Sequence, residues 1–371
     1  MKTNLKQLSK QDLFLFMERA GQKQFRTNQI ISWIYKKLAV SFDEMTDLSM
    51  AFREELYNIA VISNLTLLRR QVSKDGTQKF LFELEDGQTI ESVLIPNSKG
   101  EGRFTQCISS QAGCAVGCKF CMTGRLGLKR NLRAYEIVDQ VIFVRRFISR
   151  QRTNGTSSAI DTFIKESPGT SHSEDKTDIT NIVFMGMGEP LNNLHEVGRA
   201  LSILTDLMGF SRRGITVSTS GIVPGIRKLA EIKPLVNLAV SLNATTDDTR
   251  NRIMPINKKY PLKELIRACR DFPLPPRRRI TFEYVLLDGI NDSPDDARRL
   301  VKLLAGIKSK LNLIPYNSLD NTEDLKPPLE SNVFAFQKIL QKAGMTAMIR
   351  KSMGADISAA CGQLKAAYKS S

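Results

Sequence analysis

Three cysteines stand close together in this chain: Cys114, Cys118 and Cys121, spaced C-x3-C-x2-C. Thiolates so near in sequence can each hold a different iron of one iron–sulfur cube. Three ligands leave the fourth iron open, and an open iron can bind a small molecule directly, which a cluster that only passes electrons does not need. The competing reading is structural zinc, which takes four closed ligands. The fourth would have to be Cys107 or the distant Cys361. With Cys269, these complete the six cysteines of the 371-residue chain. A disulfide framework belongs to short secreted chains, and the polar start MKTNLKQLSKQDLFLF does not read as a signal peptide. No apolar run reaches the ~20 residues that cross a bilayer. The expectation is a cytoplasmic protein with no membrane partner. His172 and His195 are the two histidines, which argues against a histidine-based metal site or triad.

Other candidate groups lie outside this cluster. Gly186 and Gly188 precede Glu189 where a strand should end, and a backbone without side chains can approach a ligand closely there. Ser218, Ser241, Leu242, Asn243 and Asn317 fall near the ends of later strands. Taken singly, each Ser or Asn reads as a turn or cap; their shared placement favours a pocket. Glu91 begins an alternating strand and, by itself, reads as an exposed strand glutamate. Cys361 lies on the small-residue segment AACGQ, which suits a tail entering a tight pocket, although a lone cysteine there also reads as a small buried hydrophobe. Cys269 falls within a helical pattern and reads as structural.

The elements that must position these groups follow from periodicity. Residues 1 to about 75 carry helical apolar stripes (Phe14, Phe16, Met17; Ile30, Ile31, Ile34, Tyr35; Phe52, Leu56, Ile59) and read as a small helical accessory domain. Residues 76–371 form the second unit. It opens with strand-like runs at Lys79–Leu84, Thr89–Ile95 and Phe104–Ser109. Strands are then expected at Ile179–Met185, Ile215–Thr219, Leu235–Leu242, Ile280–Leu287 and Leu311–Pro315. Helices are expected at Ala134–Ser149, Leu194–Met208, Pro261–Arg270 and Pro294–Ala305. This alternation predicts an α/β fold of parallel strands joined by crossover helices, about six units closing part of a barrel. In such folds the chemistry gathers at the C-terminal ends of the strands. The Ser/Thr/Gly/Asp-rich stretch 151–178 interrupts the rhythm and reads as a flexible surface insertion.

Several ordered segments carry a family resemblance. They are ESVLIP at 91–96, CISSQAGC at 107–114, CKFCMTG at 118–124, MGMGEPL at 185–191, STSG at 218–221, AVSLNA at 239–244, LIPYN at 313–317 and GADISAACGQL at 354–364. Together they resemble the RlmN/Cfr family of radical S-adenosylmethionine (SAM) RNA adenine methyltransferases, from about Phe25 to Leu364. The resemblance implies a partial (β/α)6 radical-SAM barrel behind a helical RNA-binding accessory domain. It implies a [4Fe–4S] cluster on Cys114, Cys118 and Cys121, and SAM used twice per turnover, once as methyl donor and once as radical source. Gly188, Glu189, Ser218, Ser241, Leu242, Asn243 and Asn317 would line the SAM pocket, although many relatives carry His at position 243. Cys361 would accept the methyl group, Glu91 would take the ring proton from the enzyme–RNA adduct, and Cys107 would free the product by forming a disulfide with Cys361.

The implied reaction methylates C2 of a specific adenine in 23S rRNA and in tRNA. A ring carbon between two nitrogens is electron-poor, so a polar methyl transfer fails and a radical route does not. C8 methylation of 23S rRNA uses the same residues and is the near alternative; a non-catalytic iron–sulfur or zinc RNA-binding module is the distant one. The other expected partner is a flavodoxin-like or similar low-potential electron donor, and the expected state is a monomer.

The formal charge of +16 points the same way, towards a polyanion. Arg125, Lys129, Arg130 and Arg133 form one basic group, Arg277, Arg278 and Arg279 a second, and Arg350 with Lys351 a third. Each alone reads as a solvated face; their combined excess suits phosphate contacts. RNA affinity measured by filter binding should therefore fall steeply as salt is raised. A flat dependence would remove these groups as phosphate contacts.

Overall fold

The computed structural model describes residues 2–97, 102–153, 178–233, 235–319 and 324–365. Strand β1 (Thr3–Asn4) leads into helices α1 (Lys10–Arg19), α2 (Gln24–Ile31) and α3 (Met50–Ile59), and β2 (Ala60–Val61) returns to pair parallel with β1. Ser9 and Asp12 close a capping box at the start of α1. Leu13 and Met17, one turn apart, are fully buried and meet Ile30, Ile34, Tyr35 and Leu56 in the core.

The helical reading of residues 1–75 stops short in the structure. Thr66–Val72 is a strand, β3, paired antiparallel with β4 (Gln78–Glu83). Its β-branched ends suit a strand, and Arg69 and Arg70 in its middle suit the edge of a sheet, where charge discourages further pairing. After β4 come β5 (Thr89–Pro96) and β6 (Arg103–Cys107), then a two-stranded arm of β7 (Gln111–Gly113) and β8 (Leu128–Asn131) around the short helix α4 (Met122–Arg125). Helix α5 (Ala134–Thr153) and β9 (Asp178–Phe184) bound the expected insertion. The helix runs three residues into it, and 154–177, with His172, lie outside the described residues.

From β9 the chain alternates strand and helix: α6 (Leu194–Ser202), β10 (Ile215–Thr219), α7 (Val223–Glu231), β11 (Asn237–Ser241), α8 (Asp247–Ile253), α9 (Leu262–Asp271), β12 (Ile280–Leu286), α10 (Pro294–Leu303), β13 (Ser309–Pro315), α11 (Glu330–Lys342) and β14 (Ala347–Ile349). One ten-stranded sheet results, in the order β14-β13-β12-β11-β10-β9-β6-β5-β4-β3, parallel from β6 through β14. Residues such as Val217, Leu238, Val240 and Phe282 are buried, as parallel strands covered by helices require. The sheet is not closed: β3 and β14 remain its two ends.

The N-terminal unit is fastened to this sheet's helical layer by a buried ion pair. Lys6 Nζ lies 2.6 Å from Asp139 on α5, with both side chains at most 3% exposed. It also donates to Ser63 O (2.6 Å) and Asn64 Oδ1 (3.3 Å). Replacing Lys6 by Met strands a buried carboxylate and should cost about 3–5 kcal/mol of unfolding free energy, measured by denaturant titration. The double change Lys6→Met with Asp139→Leu should recover most of that loss.

Candidate functional site

The cluster-binding candidates sit on the arm after β6. Cys114 N–H donates to Gly127 O (2.9 Å), Lys119 N–H to Ile253 O (3.0 Å) and Cys121 N–H to Cys118 O (3.2 Å). Gly124 on α4 lies flat on the Cys118 backbone: a Cβ there would come within 3.0 Å of Cys118 N. The three thiols are electrostatic neighbours. Burial pushes each one up, Cys114 to about 12, and Cys121 and Cys114 both raise Cys118 further. Structural zinc takes four closed ligands, whereas a cube hands each of three thiolates a different iron. The donor set of three neighbouring thiols on one pinned loop fits the cube.

Arg250, on α8, is the buried cation beside this loop. It is fully buried and donates to Leu242 O (3.0 Å), Asn257 Oδ1 (3.0 Å), Ser220 O (2.7 Å) and Ser241 O (3.1 Å). One guanidinium thus ties together the C-terminal ends of β10 and β11. Burial lowers its pKa to about 10, and the nearby Cys118 and Asp247 oppose that shift.

The strand-end residues fall where the alternation places them. Gly188 has φ +101°, and a Cβ on it would meet Gln111 Cβ at 2.5 Å; a Cβ on Gly186 would meet Ile108 O at 2.7 Å. Both glycines therefore let the β9 loop lie against the segment after β6, whatever they do towards a ligand. Glu189 is buried. Its Oε2 accepts from Ser220 N–H (2.6 Å) and Ser220 Oγ (2.7 Å), and its Oε1 from Leu191 N–H (3.0 Å). The Thr219 hydroxyl bonds this carboxylate as well, so the roughly four acceptor positions of a carboxylate are supplied here from within the protein. Ser218 lies on β10 and Ser241 ends β11, with Leu242 buried behind it. Asn243 takes the left-handed conformation, φ 57°, that Asn tolerates. Its Oδ1 accepts from Val285 N–H (2.8 Å), so its side chain braces β12. Asn317 donates to Cys361 O (3.4 Å) and accepts from Ser352 Oγ (2.5 Å).

The C-terminal segment crosses the open side of the sheet. Gly354 N–H donates to Asp75 Oδ2 (2.8 Å), and Ser73 Oγ to Asp356 Oδ1 (2.5 Å), on the turn between β3 and β4. Met122 N–H donates to Gly362 O (2.7 Å), and Thr123 Oγ1 to Leu364 O (2.7 Å), on the cluster arm. Cys361 is held between these anchors. Its thiol borders a cavity of about 500 Å³ that Cys107 and Cys121 also line. Cys361 as a residue is exposed, yet the protein packed around its thiol pushes the pKa up to about 11, and Glu283 adds to the rise. Burial raises Cys107 as well, with Cys361 the next cause, and both residues line the cavity.

Glu91 is not exposed. It is 4% accessible, lies 3.1 Å from Lys79 Nζ and accepts from Lys365 N–H (2.8 Å). It stands behind the tail and is not among the residues lining the cavity. Lys79 also donates to Ser358 O (3.2 Å), joining the carboxylate to the tail. Cys269 is buried in the core on α9. Of the basic groups, Arg350 and Lys351 line the cavity, whereas Arg130 is already bound by Asp86 (2.5 Å) and Glu136 (2.7 Å). Arg250, Lys79, Glu283 and Asn312 were not singled out by sequence. The last two had a signal: Glu283 interrupts the apolar strand ITFEYVL, and Asn312 the strand ending LNLIP.

Comparison with known proteins agrees with this geometry. Residues 3–62 match the ribosomal RNA large subunit methyltransferase N-terminal domain, and residues 173–302 the radical SAM superfamily. The chain is 49% identical over 366 residues to the dual-specificity RNA methyltransferase RlmN of Pelobacter propionicus, covering 98% of this chain and 96% of that one. It is also 49% identical to the protein of the same name from Geotalea uraniireducens, covering 98% and 97%. A crystal structure of a radical SAM methyltransferase from Sphaerobacter thermophilus superimposes with a TM-score of 0.86 at 42% identity, covering 98% of this chain and all of that one.

The surroundings of Cys361 carry a measurable consequence. Below its raised pKa, the thiolate fraction grows about tenfold per pH unit. Alkylation of Cys361 by iodoacetamide, followed by peptide mass spectrometry, should accelerate accordingly between pH 8 and 10. Glu283→Gln should make it faster at every pH in that range.

Proposed function

The chain belongs to the RlmN family of radical SAM RNA methyltransferases, and from that premise we propose that it methylates C2 of adenine in 23S rRNA and tRNA by way of Cys361. The enzyme uses a [4Fe–4S] cluster and SAM. Cys114, Cys118 and Cys121 are the residues to hold the cluster. When bound, it supplies the electron that splits SAM into methionine and a 5′-deoxyadenosyl radical. Gly188, Glu189, Ser218, Ser241, Leu242, Asn243 and Asn317 form the proposed SAM pocket, with the Glu189 carboxylate as the proposed partner of the amino group of the methionine moiety.

The observation that carries this reading is that Cys107 and Cys361 line one cavity together with Cys121 of the three-thiol arm. Cys361 accepts the methyl group as a thiolate and presents the activated methyl carbon to the base. The base must be flipped out of its stack to arrive there. Glu91 takes the C2 proton, and Lys79 at 3.1 Å holds that carboxylate in place. For this step the tail must lift Lys365 N–H away from Glu91, since the carboxylate stands behind it. The Cys107 thiolate then attacks the Cys361 sulfur: the S–S bond forms as the S–C bond breaks, the released carbon keeps the electron pair and takes a proton to become the methyl group, and the low-potential electron donor system must reduce the disulfide before the next turnover.

Arg350 and Lys351 at the cavity mouth, the other basic groups and the N-terminal helical unit contribute phosphate contacts in this scheme. No helix among the described residues is long and apolar enough to cross a membrane, and we place the enzyme in the cytoplasm as a monomer. A flavodoxin-like protein is the proposed electron donor. Cys107→Ala should accumulate a covalent enzyme–RNA species, seen as a shifted band on a denaturing gel after anaerobic turnover. Normal turnover by that variant would rule out Cys107 as the resolving thiol.

A further inference from the structure

The cavity wall opposite Cys107 presents two hydrogen-bond acceptors with no donor assigned to them. Glu283 on β12 and Asn312 on β13 are register partners, and both side chains face inward. Asn312 Nδ2 donates to Glu283 Oε1 (2.9 Å). That bond aligns the pair and leaves Asn312 Oδ1 and the second carboxylate oxygen directed elsewhere. Asn312 Oδ1 is buried and has no partner. Glu283 is 7% accessible and makes no ion pair within 4 Å among the described residues; burial raises its pKa, opposed by the Asn312 bond, Arg350 and Lys310. Such acceptors are costly to leave unmatched. Glu283 is also the nearest acidic influence on the Cys361 thiol, so the pair stands beside the proposed methyl carrier.

The occupant of this spot must offer two adjacent N–H donors, sit in a slot walled by protein, and lie next to Cys361. We infer that Glu283 and Asn312 select the target base by accepting the two N–H bonds of the adenine 6-amino group. This assignment rests on the proposed RNA methylation at Cys361 and supplies its base specificity. Adenine offers the amino donor, whereas guanine turns an oxygen acceptor to the same place. Against two acceptors that oxygen finds no partner and is repelled. A purine without any substituent at position 6 leaves both acceptors unpaired. A site built to bind a substrate N–H discriminates strongly against the analogue that lacks it.

The test uses the full-length, cluster-loaded enzyme and a synthetic stem-loop of a substrate RNA, with adenosine or purine riboside at the target position. Wild type is expected to lose about 100-fold or more in kcat/KM on the purine RNA. Glu283→Ala with Asn312→Ala should narrow that ratio to within about tenfold, mostly by losing rate on adenosine. Iron content should be unchanged and Cys361 should still be methylated by SAM, no more slowly than in wild type, which a general disruption of the fold would not allow. Glu283→Gln retains one carbonyl acceptor and is expected to fall between the two. Equilibrium binding of the two RNAs by fluorescence anisotropy gives a second ratio, free of turnover, and it should narrow in the same order. Equal use and equal binding of both RNAs by wild type would overturn the assignment, as would a double variant that keeps wild-type discrimination. A wild type that methylates neither RNA defeats the reading of the activity instead, and the binding ratio then judges the acceptor pair by itself.

Discussion

The organisation of this molecule depends on an open sheet whose missing wall is supplied by its own C-terminal segment. Ten strands leave β3 and β14 as free ends, and parallel strands hold together only when both faces are covered. Residues 354–365 span the gap with main-chain hydrogen bonds at both ends: Asp75 to Gly354 on one side, Met122 to Gly362 on the other. Gly362, with φ +85°, can approach the Phe120 carbonyl so closely that a Cβ would stand 2.9 Å from it. Cys361 is therefore positioned by backbone, not by its own side-chain contacts. That choice leaves the thiol free to change its covalent state without dismantling the structure that holds it.

A second constraint follows from the cavity. Its lower wall is polar, with Asn181, Asn237, Thr281, Glu283 and Asn312 facing inward along consecutive strands. The strand ends above are tied by Arg250 through four carbonyl-type acceptors. A guanidinium can do this because its five donors are fixed in a plane and its charge is not easily lost. Lysine would satisfy fewer of those acceptors and would surrender its proton more readily on burial. The positive charge also lies beside Cys118, where ligand thiolates concentrate negative charge. One residue thus serves the geometry of the pocket and the electrostatics of the arm.

Much of this architecture was legible in the chain. The parallel strands that were expected fall within two residues of their bounds, because apolar runs flanked by helical periodicity leave little choice, whereas the three-residue β14 was not foreseen. The three clustered cysteines declare themselves by spacing alone. What was not legible arises from register and closure. Thr66–Val72 looked like the end of a helical unit because its apolar residues are few; only its partner β4 makes it a strand. Glu283 and Asn312 lie 29 residues apart and become neighbours only when β12 and β13 align. Gly186 and Gly188 were expected to make room for a ligand, yet the backbone they admit is that of Ile108 to Gln111. Glu91 looked exposed because strand alternation cannot foresee a tail arriving from more than 250 residues away.

Covering Glu91 with that tail sets an order of events in the proposed chemistry. A base that is exposed throughout the cycle can be reached by water and by stray electrophiles. Here its carboxylate is engaged by Lys79 and by the N–H of Lys365 while the tail is docked. Lys79 bonds the tail at Ser358 O as well, so movement of the tail alters both partners of the carboxylate together. Once Cys361 is joined to the base, the position of the tail is set by the RNA as well as by Met122 and Thr123. The strain of that double attachment is available to pull Lys365 from Glu91. Proton removal then follows adduct formation because of where the chain passes, without any separate gate.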